Sequence, residues 1–441
     1  MPIRTPRPPM GWNSWDCYGT TVTEAEVLAN AQFMADHLLE HGWDTVVVDA
    51  GWFDPTARRH GYNPGAPLCV DGYGRLIPDS VRFPSSADGA GFAPLAEQVH
   101  ALGLRFGIHI MRGVSRRAVE RRCVVLGGGG ATAGDIADDT NVCEWNPDNL
   151  GLNHAHPAAQ AYYDSCAELF ASWGVDFVKA DDMLWPYQET DVEAIASALD
   201  RTGRPMALSL SPGRDMSLSR LEHVRGQATM WRVCDDVWDR WEDIEANFAR
   251  LARWAPHAGD QGWPDGDMLP LGRIGIRAER GDPRDDGLTP AERRTLMTLW
   301  TIARSPLMIG GDLPATDPDT VALFTNPDVL DVHASSTGSR EVFREGELVL
   351  WTAEGPAGAR YVAAFNLGDQ RKPVALDAAN IGLPRILDGT VSELWTGDTV
   401  RTAPVTVQSD AARGVAPGST GLFLTLDPHG AALLRYTPRS G

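Results

Sequence analysis

From about residue 8 to residue 312, short β-branched runs alternate with stretches of helical period. Residues 45–49 (TVVVD), 105–110 (RFGIHI), 175–179 (VDFVK) and 206–210 (MALSL) have the near-continuous apolar character of buried parallel strands. Further strands are expected at 10–13, 229–232, 267–271 and 306–309, with the run at 175 continuing to 180. Helices between them carry start signals. Thr23 and Glu26 form a capping box ahead of a stripe of Val27, Ala31, Met34 and Leu38. Thr289-Pro290 with Glu292 opens another helix through Leu296, Leu299 and Trp300. A third, over 241–254, buries Ile244, Phe248, Leu251 and Trp254. Gly42, Gly103 and Gly174 sit between a helical stripe and the next strand, where a left-handed helix end is expected.

Eight strands with helices between them favour a (β/α)8 TIM barrel over an open doubly wound sheet. No GxGxxG opens a helix after a strand, and the glycines at 127–130 read as a loop. Beyond about residue 333 the pattern changes. Runs at 347–352, 360–365 and 431–436 are separated by Gly/Pro/Asp turns, the pattern of a C-terminal antiparallel β-sandwich domain. The expected division is a catalytic barrel over 1–332 and a β domain over 333–441.

Length agrees, since 441 residues exceed a barrel of about 250. With 39 Lys+Arg against 59 Asp+Glu the chain carries −20, which disfavours nucleic acid and anionic membranes as partners. The N-terminal segment has no apolar run and no stretch approaches a membrane span, so the expected setting is cytoplasmic. Six scattered cysteines without CxxC read as free thiols. The oligomeric state is not legible.

Barrel enzymes place their chemistry at the C-terminal ends of strands. Here those ends carry Asp49, Lys179-Ala180-Asp181-Asp182, Arg232 with Asp235 and Asp236, Asp265 with Asp267, and Asp312. One such Asp often caps the next helix; five ends with Lys and Arg interspersed point to a site. Metal-assisted hydrolysis would need ligand-spaced clusters. His154 and His156 form the one HxH, in a loop, and His109 stands alone, so neither metal nor cofactor is expected. Glycoside hydrolysis needs two carboxyl groups flanking the anomeric carbon. It also gives a few of the 15 tryptophans a role, because sugar C–H groups pack on π-faces.

With these residues in view, the sequence resembles glycoside hydrolase family 27, the α-galactosidase and α-N-acetylgalactosaminidase family. The similarity is carried by Pro9-Met10-Gly11-Trp12-Asn13-Ser14-Trp15, by Val46–Asp49 with Trp52, and by Trp173–Asp181. It continues through Trp231-Arg232 with Asp236, Asp239 and Trp241, then Gly262-Trp263 with Asp265 and Asp267-Met268-Leu269, and Ser305-Pro306-Leu307 with Gly311-Asp312. The resemblance implies a retaining hydrolase of terminal α-linked galactose-like sugars, acting on a small carbohydrate by double displacement. Asp181 is the implied nucleophile and Asp236 the implied acid/base. Trp15, Asp49, Trp52, His109, Lys179, Ser211 and Arg232 are the implied sugar-binding residues. Asp182 and Asp235 are rival carboxylates expected to face away.

Specificity departs from the family at three positions. The usual second Asp after the second strand is Ala50, a Glu typical of α-galactosidases is Ser211, and the third-strand Tyr is His109. Losing a hydrogen bond to a charged group costs about 1.5–3 kcal/mol, enough to change preference. Asp54, Arg112 and His154 are candidates to supply a polar contact instead. Gly51 and Met183 occupy two positions where the family has disulfide cysteines. The alternatives are therefore hydrolysis of α-N-acetylgalactosaminides, β-L-arabinopyranosides or isomaltose-type α-glucosides. A non-catalytic carbohydrate-binding protein is disfavoured because the implied catalytic Asp pair and its Lys and Arg companions are present.

Overall fold

The computed structural model describes residues 2–214, 216–384, 387–404 and 418–439. Eight parallel strands form the centre: β1 (Met10–Asn13), β2 (Thr45–Val48), β3 (Arg105–Met111), β4 (Phe177–Asp181), β5 (Ala207–Leu210), β6 (Met230–Arg232), β7 (Trp263–Asp265) and β8 (Leu307–Ile309). Their order around the sheet is β8-β1-β2-β3-β4-β5-β6-β7. Strand interiors such as Val46–Val48 and Phe106–Ile108 are buried, as a sheet covered by helices on its outer face requires.

One strand differs from the expectation. The seventh lies at Trp263–Asp265 rather than 267–271. Asp267 adopts a left-handed conformation, φ 80°, which breaks the extended run. The chain then returns to the sheet at Leu269. Its N–H donates to Met308 O at 2.8 Å, and its carbonyl accepts from Gly310 N at 2.9 Å. The ring thus closes between β7 and β8 through Leu269, with Asp265 and Asp267 held at its mouth.

The capping boxes at Thr23/Glu26 and Thr289/Glu292 are formed, and the third helix spans Trp241–Trp254 as its stripe predicts. Gly42, Gly103 and Gly174 all take positive φ.

The C-terminal strands are β9 (Thr337–Glu345), β10 (Leu348–Glu354), β11 (Arg360–Asn366), β12 (Lys372–Asp377), β13 (Thr390–Glu393), β14 (Arg401–Pro404), β15 (Thr420–Leu426) and β16 (Ala431–Thr437). They make antiparallel sheets of order β9-β10-β11-β16-β13 and β12-β15-β14. Alternation along β10 and β11 explains the docking. Val349, Trp351, Tyr361, Ala363 and Phe365 join the core shared with the barrel, while Leu350, Val362 and Ala364 pack toward the smaller sheet. Each such side chain taken out of water contributes about 1.5–3 kcal/mol for the larger ones. Phe365 meets Phe248 edge-on at 4.9 Å, and Trp395 donates to Thr298 at 2.9 Å. No helix among the described residues is long and apolar enough to cross a membrane.

Candidate active site

A cavity of about 290 Å³ opens at the C-terminal ends of the barrel strands. It is lined by Asp16, Asp49, Asp181, Asp235, Asp236, Asp267 and Glu279, facing Lys179, Arg232 and Arg280. Trp15, Tyr62, Trp145, Trp238 and Met268 complete the wall. Trp15, Tyr62 and Trp145 form a ladder of rings, at 5.8 Å and 5.6 Å between centroids, from the floor to the exposed rim. Surfaces of this kind suit a ligand with both C–H and hydroxyl faces.

Strand register builds one side of the cavity. Lys179 and Asp181 are alternate residues of β4, so their side chains leave the sheet on the same face. The ammonium of Lys179 donates to Asp49 Oδ2 at 2.7 Å, and Asn13 Nδ2 donates to the same oxygen at 2.7 Å. Asp181 accepts from His109 Nε2 at 3.1 Å, Ser211 Oγ at 2.9 Å and the Asp182 N–H at 3.0 Å. Burial alone would favour the protonated acid. The His109 hydrogen bond and the neighbouring Lys179 charge outweigh it, holding Asp181 well below the usual carboxylate range. Asp49 is lowered likewise, with Lys179 overcoming its burial. Lys179 is raised in return, because Asp49 and Asp181 outweigh its own desolvation.

Arg232 organises the other side. Its guanidinium donates to Asp236 Oδ1 at 3.0 Å and lies 2.8 Å from Asp267 Oδ1, so two carboxyl groups share one buried cation. Asp267 also accepts the Val237 N–H at 2.7 Å. Burial and the negative neighbours Asp236 and Asp265 still push Asp267 upward. Asp265 and Glu279 are raised too, mainly by burial. The cavity is therefore divided. Its β2–β4 side holds fixed carboxylates, and on its β6–β8 side Asp267 and Glu279 are raised toward the protonated acid. Environments that separate carboxyl groups in this way are typical of acid/base sites.

Six expected site residues line the cavity: Trp15, Asp49, Lys179, Asp181, Arg232 and Asp236. His109 and Ser211 stand behind Asp181 instead, both buried, and reach the cavity through its carboxylate. Trp52 needs correction. It is fully buried among Phe53, Phe92 and Trp173, with its indole N–H given to His109 O at 2.8 Å, so it supports β3 and offers no face to a sugar. Asp182 does turn away, into an ion pair with Arg112 at 2.7 Å, whereas Asp235 lines the cavity rim. Arg112 is committed to Asp182 and His154 to Asp191 at 3.1 Å, and neither lines the cavity; nor does Asp54, which holds Thr56.

Asp16, Tyr62, Glu279 and Arg280 line the cavity without having been singled out in the sequence. Asp16 follows Trp15 directly at the end of β1, a signal that was available. Glu279 and Arg280 lie in the long segment between β7 and the helix Pro290–Ala303, where sequence spacing carries no orientation. The Glu189, Glu193 and His223 group, whose ligand atoms lie within 4.8 Å of one another, is not part of the cavity. Position 51 has no room for a side chain: a Cβ on Gly51 would sit 2.6 Å from Thr20 Cβ.

Residues 151–335 match a family model described as alpha galactosidase A, and residues 345–436 one described as alpha galactosidase C-terminal beta sandwich domain. A family 27 β-L-arabinopyranosidase from Geobacillus stearothermophilus is 43% identical in its crystal structure, with 99% of this chain and 98% of that one covered and a TM-score of 0.93. A putative α-N-acetylgalactosaminidase from Bacillus halodurans is 42% identical over 99% of this chain and 100% of its own, with a TM-score of 0.84. An α-galactosidase from Cyamopsis tetragonoloba is 25% identical over 98% of this chain and 87% of its own length.

Proposed function

The chain belongs to glycoside hydrolase family 27 and is a glycoside hydrolase acting on a small carbohydrate, and from that premise we propose a retaining double displacement on terminal galacto-configured pyranosides. Asp181 attacks the anomeric carbon to form a glycosyl-enzyme. Asp236 gives a proton to the leaving oxygen and then takes one from the water that releases the sugar. Lys179 and Asp49 grip hydroxyls on the β2–β4 side, and Arg232 and Asp267 face the acid/base. Trp15 packs on the ring.

The observation that carries this reading is the unequal treatment of the carboxyl groups facing one cavity. Asp181 is kept ionised by three donors, as a nucleophile must be. Asp236 is the more exposed, 41% at its side chain, where a leaving group would pass. The test is a panel of nitrophenyl glycosides followed by trapping of the glycosyl-enzyme on Asp181. Hydrolysis with inversion, or label on another carboxylate, would refute it.

A second reading, within the same chemistry, is favoured by Ala50. It is fully buried in an apolar cluster with Trp15, Val47 and Met268. A wall without that carboxylate has less hold on a hydroxymethyl group and suits a pentopyranose of the same configuration. The similarity to the Geobacillus β-L-arabinopyranosidase supports it. We therefore propose β-L-arabinopyranosides as substrates at least as good as α-galactosides. All six cysteines are free thiols, which supports a reducing, cytoplasmic setting.

A further inference from the structure

Glu279 and Arg280 line the cavity but have no part in the chemistry above. Their segment is fastened directly to the one that carries Asp236. Arg284 donates to Asp239 through hydrogen bonds of 2.6 and 3.0 Å, and the Gly287 N–H donates to the same carboxylate at 2.9 Å. Arg280 stands over the Trp238 ring, 5.2 Å from its centroid. Trp238 and Asp239 follow Asp236 closely in the chain. On its other flank the segment is tied to the elements after β1 and β2. Arg277 donates to both oxygens of Glu26 at 2.6 Å, and the His60 N–H donates to Ala278 O at 3.1 Å. Anchors on both sides therefore hold the pair in place beside the acid/base. The two side chains stay open to a ligand: Arg280 is 48% exposed and Glu279 33%, and at 3.9 Å apart they are too far for a hydrogen bond. The Trp238 ring steadies the guanidinium without supplying an acceptor oxygen.

A leaving oxygen that takes its proton from Asp236 departs along this wall. We propose that Glu279 and Arg280 form the leaving-group subsite, and that the leaving group it takes is a neutral sugar. This rests on the reading of Asp236 as acid/base given above and goes beyond it by naming the leaving-group class. The guanidinium donates to hydroxyl oxygens and Glu279 accepts from a hydroxyl, the complementary pair that neighbouring hydroxyls of a pyranose require. An aryl or alkyl leaving group uses neither. Acidic residues outnumber basic ones on the lining, which disfavours an anionic leaving group. Trp145, 41% exposed at the outer end of the ring ladder, gives the same mouth a face for sugar C–H groups. Burial raises Glu279 against the pull of Arg280, and Asp236 adds to the rise, so Glu279 stands within electrostatic reach of the acid/base.

The same subsite holds the acceptor when the glycosyl-enzyme is resolved by an alcohol instead of water, so it can be read apart from the sugar being cleaved. The experiment generates the glycosyl-enzyme from whichever nitrophenyl glycoside wild type cleaves and measures its partition among water, methanol and a panel of D-glucose, D-galactose, D-xylose and L-arabinose. In transfer, the acceptor's hydroxyl oxygen bonds to the anomeric carbon, the bond to Asp181 breaks, and Asp236 takes the hydroxyl proton. Wild type should transfer to at least one of these sugars with saturation, and about 10-fold or more better than to methanol at equal concentration. Arg280→Ala and Glu279→Ala should each lower that sugar-to-methanol ratio by about 10–100-fold. Arg280→Lys and Glu279→Gln should recover part of it, since each keeps a donor or an acceptor in place. Both acceptors compete for one intermediate, so a merely structural role that slowed every step would leave the ratio unchanged. Transfer to the sugars no better than to methanol in wild type, or a ratio unaltered in either alanine variant, would overturn the proposal while the hydrolytic reading stands. A wild type that cleaves no glycoside would overturn both.

Discussion

His109 Nε2 lies 3.1 Å from Asp181 Oδ2, joining the third and fourth barrel strands at their mouth. With a carboxylate as partner, Nε2 carries the proton and donates it. His109 is wholly buried, so it can act on a sugar only through Asp181. The residue thus tunes and orients the proposed nucleophile, a different task from the direct hydroxyl contact its strand position had left open.

Replacing His109 by Leu should lower kcat and move the acid limb of kcat/KM to higher pH. The sign follows from the depressed Asp181. Its ionised form contributes stability and reactivity above the ordinary carboxylate range, and both are lost only as pH falls through its low folded value. Without the His109 hydrogen bond, burial pulls Asp181 back up, and the loss begins at higher pH. A pH–rate profile of wild type and variant checks this; coincident acid limbs would contradict it.

Asp181→Asn should still fold, with some loss of stability because the ionised carboxylate held by His109 and Lys179 is gone, and should reduce kcat by a factor on the order of 10⁴ or more, because an amide cannot form the glycosyl-enzyme. Asp182→Asn should instead keep most of the turnover. Asp182 is buried against Arg112, at 2.7 Å, and its carboxyl is pushed up to about 6 by burial and by Asp181 against that arginine. Weakening the pair should cost stability, in the range of about 1–3 kcal/mol, with modest loss of turnover. Thermal melts and single-substrate kinetics on both variants separate the two; the opposite pattern would shift the nucleophile by one residue.

Asp236→Ala should impair poor leaving groups far more than activated aryl glycosides, since only the former need protonation in the first step. Azide should restore part of the rate and yield a glycosyl azide of retained configuration. Equal losses across leaving groups, with no azide product, would remove Asp236 from the acid/base role.

Ala50→Asp should raise the α-galactoside to β-L-arabinopyranoside ratio of kcat/KM by about 10-fold or more, the value of one hydrogen bond to a charged group. Some stability should be lost, because the new carboxylate enters the apolar cluster of Trp15, Val47 and Met268. Kinetics on the two nitrophenyl substrates measure it. A ratio that falls would show that position 50 does not read the sugar's sixth carbon.

The sequence by itself determined most of the frame. Helical stripes, capping boxes and β-branched runs are local patterns whose period dictates which face is buried, so seven strands and the helix starts were legible. The Lys-x-Asp spacing on β4 put Lys179 and Asp181 on one face because a strand alternates. The seventh strand was not legible, because a left-handed Asp267 breaks it and a single bridge at Leu269 resumes it. Tertiary structure alone decided what each polar group meets. Trp52 and His109 sit at strand ends in the sequence as Trp15 does. Yet packing among Phe92 and Trp173 removes the first from the cavity, and closure of β3 against β4 turns the second onto Asp181. Asp16 reaches the cavity from the short helix Trp15–Tyr18, and Glu279 and Arg280 from a loop, all far along the chain from Asp181. Periodicity fixes the direction of a side chain relative to its own strand; only ring closure brings distant strand ends together, and so only the folded barrel selects the carboxyl groups that share one cavity.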